Sequence, residues 1–252
     1  MNATPTIPEK KPNRVKWYGI VLGIIYLIMQ HRFYLWGHDL AELFKVMEPF
    51  SPKIPFDDLI PLVSIFIIPY VWAYASWGMA PMAVSKCEKS HFADYMAANL
   101  VACVAGMIAL AFAPTYMNRV TEGLYAAAEN PDVFDRLRLF WYSMDGSEWA
   151  YNLLPSFHCI NSTLAYLGVM GRKEIPKWFR IYSLVLAFLV FAATLFVKQH
   201  FFLDVVSGVA LAAVAYFLCK KFHWGRMFIP VEKLYAKIAA KIKEKKENKN
   251  AA

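Results

Sequence analysis

The sequence predicts an all-α polytopic membrane protein with six transmembrane helices and both termini on the cytoplasmic side. Three observations predict it. The 252 residues are 58% hydrophobic and 16% aromatic, with a mean hydropathy of +0.35, which is too apolar for an ordinary soluble domain. Six apolar runs each approach the ~20 residues that cross a bilayer as a helix. Most of the 27 basic residues fall in alternate connecting segments, the asymmetry that sets membrane topology.

The first run, residues 17–36, follows a basic start and is long enough to span. It is expected to be a retained helix rather than a cleavable signal. Its closing stretch Gln30-His31-Arg32 reads as side chains snorkelling to the interface. The second, residues 59–81, carries Pro61, Pro69 and Pro81, so a kinked helix is expected. The third covers 95–114, the fifth 181–197 and the sixth 203–222. The fourth, 156–171, is short for a span unless the bilayer thins locally. The chain therefore divides into a cytoplasmic segment 1–16, a six-span catalytic domain 17–222 and a basic tail 223–252. In residues 231–252 lysines alternate with apolar residues before a Lys/Glu/Asn-rich end. The first half is expected to lie on an anionic membrane surface, and the last ten residues to be disordered. Cys87, Cys103, Cys159 and Cys219 form no CxxC pair and read as free buried thiols.

With the N-terminus inside, the basic clusters Lys10–Lys16, Lys86 and Lys89, Arg172–Arg180 and the tail from Lys220 all become cytoplasmic. The same topology places Arg119, His158 and His200 together on the outer face. His158 stands in Pro155-Ser156-Phe157-His158, and His200 has Asp204 four residues later. Four residues make about one helical turn, so the carboxylate shares a face with the imidazole. A carboxylate on one ring nitrogen fixes the tautomer and makes the other a better nucleophile. Ionisable groups at membrane depth are costly and point to function. Taken singly, either histidine reads first as an interfacial residue bonded to backbone.

Ser156 follows a proline and opens an apolar helix, so it is a natural N-cap. The same helix start suits a phosphate. His158 is then the proton donor to a leaving oxygen, and His200 the nucleophile that forms a phosphohistidine. Arg119 binds the non-bridging oxygens. Lys198 is either a second phosphate-binding charge or a snorkelling residue. Asp145 and Asn152 are candidates to contact a head group or to brace the outer loop. That loop carries Tyr125, Phe134, Leu137, Phe140, Trp141 and Trp149, and reads either as a gate for a lipid tail or as a segment resting on the interface. No metal and no cofactor is expected.

These residues resemble the type 2 phosphatidic acid phosphatase superfamily. Pro155-Ser156-Phe157-His158 is similar to its Pro-Ser-x-His motif, and His200 with Asp204 to its histidine–aspartate motif. Arg119, soon after the third span, stands where its first motif ends. The resemblance implies a phosphatidic-acid-phosphatase-like helical core and a site at the outer leaflet. Residues 54–61, the Pro69-Tyr70 pair and 152–159 look like a bacterial branch related to inositolphosphotransferases and sphingolipid synthases. The chain departs from the pattern at Phe112 (usually lysine), Val120 (usually proline), Phe157 (usually glycine) and Thr194 (usually arginine).

The expected function is a metal-independent lipid phosphatase of a bacterial cytoplasmic membrane, acting on a lipid phosphomonoester or pyrophosphate. Phosphatidic acid, phosphatidylglycerol phosphate and polyprenyl pyrophosphate all fit the resemblance. One alternative is a lipid head-group phosphotransferase of inositolphosphoryl- or phosphocholine-transfer type. Another is a non-enzymatic transporter, or a haem carrier using the two histidines. Its partners are the membrane and its phospholipid or polyprenyl phosphate substrate; no nucleic acid is expected.

Overall fold

A computed structural model describes residues 14–125, 131–144, 146 and 148–230. The expected behaviour of residues 231–252, most of the segment 1–16, and Asp145 lie outside these. Among the described residues the fold is mostly helical: α1 Trp17–Phe44, α2 Ile67–Val84, α3 Lys89–Phe112, α4 Val133–Met144, α5 Phe157–Val169, α6 Lys177–Phe196 and α7 Phe202–Phe222. Two short strands, β1 Tyr116–Asn118 and β2 Trp149–Tyr151, pair antiparallel on either side of α4.

Four helices, α1, α3, α6 and α7, are long and apolar enough to cross a membrane. Their outward faces carry exposed Ile20, Ile24, Ile28, Val185, Phe188, Val214 and Phe217. Such contiguous apolar surface is what a hydrocarbon solvent accepts and water does not. The helices of the second and fourth expected spans, α2 and α5, fall short of that length and apolarity. At 13 residues, α5 is about 20 Å long, short of a ~30 Å hydrocarbon core. It packs among α2, α3, α6 and α7, and nearly every side chain on it is buried.

Two helix boundaries differ from those the apolar runs suggest. α1 continues to Phe44, where Lys45 turns left-handed (φ 47°) and its N–H closes on the Ala41 carbonyl. Gln30 is therefore mid-helix and buried rather than at an interface. Its Oε1 accepts from Asn161 Nδ2 at 3.0 Å, and Asn161 Oδ1 in turn accepts from the Tyr26 hydroxyl. A polar network of this kind satisfies the amide inside the bundle, so the residue need not reach water. α2 starts at Ile67, not at 59. Ile60 precedes Pro61 and is extended (φ −84°, ψ 117°), because the proline ring disfavours the helical region for its predecessor. The residues 55–66 form two short 3-10 turns instead, and the Val63 N–H donates to the Phe196 carbonyl at the end of α6 (2.9 Å). Pro69 falls in the first turn of α2, where a missing N–H costs nothing.

The helices approach closely where side chains are small, as in other membrane bundles. A Cβ on Gly23 of α1 would stand 3.0 Å from the Gly78 carbonyl of α2. All four cysteines are free and buried. The C-terminal half of α1, the start of α2, the end of α3, the start of α5 and the α6–α7 turn meet at one end of the bundle. Lys16, Lys86, Lys89, Arg172 and Lys220 lie towards the other.

Candidate active site

The α6–α7 turn builds the first half of the site. Lys198 turns left-handed (φ 51°), which lets the N–H groups of Gln199 and His200 both donate to the Thr194 carbonyl (3.0 and 3.1 Å). Asp204 sits in the first turn of α7, where a carboxylate meets free N–H groups and the positive end of the helix dipole. Its Oδ2 accepts from the Phe201 N–H at 2.8 Å and from His200 Nδ1 at 3.3 Å. An ionised carboxylate only accepts, so the proton lies on Nδ1 and the Nε2 lone pair of His200 is left available.

The start of α5 builds the second half. Ser156 is the N-cap, its Oγ accepting from the Cys159 N–H at 3.4 Å. Its own N–H donates to the Asp204 carbonyl at 3.0 Å, so α5 and α7 begin against each other. His158 stacks on Tyr70 of α2 (ring centroids 4.2 Å apart, 22° between planes). It also presents its edge to Trp77 (5.2 Å) and Tyr74 (5.4 Å). Three aromatic rings leave the imidazole little rotational freedom. The His158 and His200 ring centroids are 5.9 Å apart. His158 Nε2 is buried and has no hydrogen-bond partner among the described residues.

Both histidines line one cleft enclosing about 610 Å³, its open mouth included. Tyr70, Tyr74 and Trp77 form one wall, and Gln30, His31 and Tyr34 of α1 another. Trp141 of α4, Tyr151 of β2 and Gln199 complete it. An aromatic cleft with few polar groups converging at its base is the usual form of a small-molecule site.

The other residues singled out in the sequence stand behind this cleft. Arg119 is fully buried, its guanidinium 4.5 Å from the Tyr142 ring centroid. Its Nη2 donates to Gln199 Oε1 at 2.9 Å. Lys198 Nζ donates to the Asp57 carbonyl at 3.0 Å, and burial holds its ammonium below the usual lysine range. Asp57 itself accepts from the Phe202 N–H (2.8 Å) and the Ile54 N–H (2.9 Å), tying the first loop to α7. Asn152, left-handed at φ 59°, donates from Nδ2 to the Tyr34 carbonyl (2.9 Å). Ser156 is wholly buried in its cap. Of the candidates, His158 and His200 reach the cleft, Asp204 reaches His200, and Arg119 reaches the cleft residue Gln199.

The sequence profile of the PAP2 superfamily, the type 2 phosphatidic acid phosphatases, matches residues 55–218. The chain belongs to this superfamily. No curated protein and no solved structure matches it. The PAP2 stretch contains Arg119, His158, His200 and Asp204, while α1, and with it Gln30, His31 and Tyr34, lies outside. One wall of the cleft is thus peculiar to the part of the chain that the PAP2 profile leaves unmatched. Sequence reasoning missed Gln30, Tyr34 and Gln199. The signal for Gln30 was a lone amide inside an apolar run; Gln199 gave no signal beyond its place beside His200.

Thr194 is fully buried, and its hydroxyl donates to the Phe191 carbonyl at 2.8 Å. It does not line the cleft. Thr194→Arg is therefore expected to destabilise the protein, by about 3 kcal/mol for an unpaired buried charge, and to leave phosphate affinity no higher. A melting curve in detergent checks the first and a phosphate titration the second.

Proposed function

We propose that the protein is an integral membrane lipid phosphatase, working through a phosphohistidine on His200 without a metal. The observation that carries the reading is that two histidines face each other across one aromatic cleft, with Asp204 bonded to the far side of His200. In the first step the Nε2 lone pair of His200 attacks phosphorus. The ester P–O bond breaks, and the leaving oxygen takes the proton carried by His158 Nε2. In the second step His158 removes a proton from water, the resulting hydroxide attacks phosphorus, and the P–N bond breaks to release inorganic phosphate. Asp204 holds the His200 tautomer through both steps and stabilises the positive ring.

In this reading α1, α2, α3, α5, α6 and α7 are the six spans, the short α5 crossing where the bilayer thins around the bundle, and both termini are cytoplasmic. The site then opens at the outer leaflet of a bacterial inner membrane. The charge difference between the two ends of the bundle supports that orientation. The substrate is a lipid monoester or pyrophosphate such as phosphatidic acid, phosphatidylglycerol phosphate or polyprenyl pyrophosphate. A second reading, transfer of the phosphoryl or head group to an acceptor alcohol, draws support from Gln30, His31 and Tyr34. They extend the cleft beyond the two histidines and give an acceptor hydroxyl polar partners.

The purified protein is expected to release labelled inorganic phosphate from these lipids with undiminished rate in a chelator. Orthovanadate is expected to inhibit it, since vanadate imitates the five-coordinate phosphoryl state. Label moving to an added acceptor lipid, with little free phosphate, selects the transferase. Loss of activity in the chelator, restored by a divalent metal, refutes the mechanism.

A further inference from the structure

The geometry points to Gln199 as the residue that donates to the phosphoryl oxygens, with Arg119 acting on it as a positioning residue. The inference rests on the phosphohistidine reading and deepens it. Gln199 is only 3% exposed, yet it lines the same cleft as His158 and His200. Its Oε1 accepts from Arg119 Nη2 at 2.9 Å. Its Nε2 is buried and has no hydrogen-bond partner among the described residues.

The orientation of the amide follows from donor chemistry. A guanidinium has donors and no acceptor, so the atom facing Arg119 has to be the oxygen. The NH2 group is then turned away from Arg119. Buried amide donors are almost always satisfied, and one left open beside a catalytic cleft suits an anionic ligand oxygen. The charge on Arg119 withdraws electron density through the amide and strengthens its N–H groups as donors. The backbone is also fixed: Gln199 N–H donates to the Thr194 carbonyl at 3.0 Å, and Lys198 supplies the left-handed turn before it.

Arg119 stands behind Gln199 as the charged group that fixes its amide. It is fully buried and stacked over Tyr142. Its Nη1 reaches the Tyr142 carbonyl at 3.4 Å, and it does not line the cleft. Its charge therefore arrives at the substrate through Gln199. An amide that points its hydrogens at the place where charge develops is a preorganised donor, and removing such a donor costs roughly 100-fold or more in transition-state binding.

Orthovanadate is the probe, titrated by tryptophan fluorescence because Trp77 and Trp141 line the cleft. The proteins are wild type, His200→Ala, Gln199→Glu, Gln199→Leu, Arg119→Met and the Arg119→Met/Gln199→Leu pair, each with its melting temperature. Gln199→Glu keeps the shape and the Arg119 partner but replaces donor hydrogens with an acceptor oxygen. It is expected to bind vanadate roughly 100-fold more weakly with its melting temperature kept. Gln199→Leu repeats the test should the carboxylate not be tolerated. Arg119→Met is expected to weaken vanadate in the wild-type background and to add little once Gln199 is Leu. A direct Arg119–phosphate contact predicts the same loss in both backgrounds. Vanadate affinity unchanged in both Gln199 variants, while His200→Ala still loses it, overturns the role of Gln199 and leaves the phosphohistidine reading standing. Wild type that does not bind vanadate, or His200→Ala that binds it equally well, overturns both.

Discussion

His200→Ala is expected to abolish turnover, lowering kcat by about 10⁴-fold or more, as removal of a nucleophile does in other covalent mechanisms. The fold is expected to survive. The His200 backbone N–H keeps its bond to the Thr194 carbonyl, and Asp204 keeps the Phe201 N–H that caps α7. What disappears is the ring between Asp204 and the cleft. His158 then has no partner across the site and no phosphohistidine to resolve. The measurement is initial release of labelled phosphate, beside a melting curve for the same preparation. Turnover above a hundredth of wild type in folded His200→Ala means that His200 is not the nucleophile. Asp204→Asn is the informative companion. It leaves the histidine but exchanges an acceptor for a side chain that can also donate, and so releases the tautomer.

The pairing of His200 with Asp204 and the helix start before His158 were legible in the sequence because both are local. Pro-Ser-x-His announces a helix start, and a His–Asp spacing of one turn predicts a contact along one helix face. Both are properties of adjacent residues; the His200–Asp204 bond forms, but His200 precedes the N-cap of α7 and reaches Asp204 from the turn rather than along a helix face. What surrounds them is assembled from distant positions. Gln30 reaches Asn161 across the bundle, and Arg119 reaches Gln199. A lone amide in an apolar run carries no spacing that would announce such a partner. Arg119 was recognisable as a charge next to an apolar run, but not as the partner of the Gln199 amide, because that contact depends on the turn at Lys198. The α2 boundary was misplaced for another reason. Residues 59–67 are apolar enough to continue a span, yet Pro61 excludes its predecessor from the helical region. Hydropathy reports the solvent a segment prefers, and backbone sterics decide where its helix begins.

Gly208→Ala is expected to cost nearly as much activity as a direct change at the site, although its side chain touches no substrate. Gly208 lies on α7 one turn after Asp204, facing the N-terminus of α5. A Cβ there would stand 2.6 Å from the Ser156 carbonyl oxygen, 3.1 Å from Cys159 Cβ and 3.3 Å from Ser156 N. The first of these is backbone and cannot rotate away, so the helices must separate. Overpacking of this kind costs about 1–3 kcal/mol. Separation also strains the Ser156 N–H bond to the Asp204 carbonyl, and it carries His158 away from His200. A misplacement near 1 Å between reacting groups lowers rates by roughly 100-fold. The control is Gly78→Ala, where the nearest atom is Leu27 Cδ1 at 3.1 Å, the end of a flexible side chain that can yield. Alanine is also the better helix former, so Gly78→Ala is expected to keep its melting temperature and its rate. Phosphate release corrected for the folded fraction separates the effects. A Gly208→Ala enzyme with wild-type kcat per folded molecule means that the α5–α7 contact stabilises the bundle without setting the distance between the two histidines.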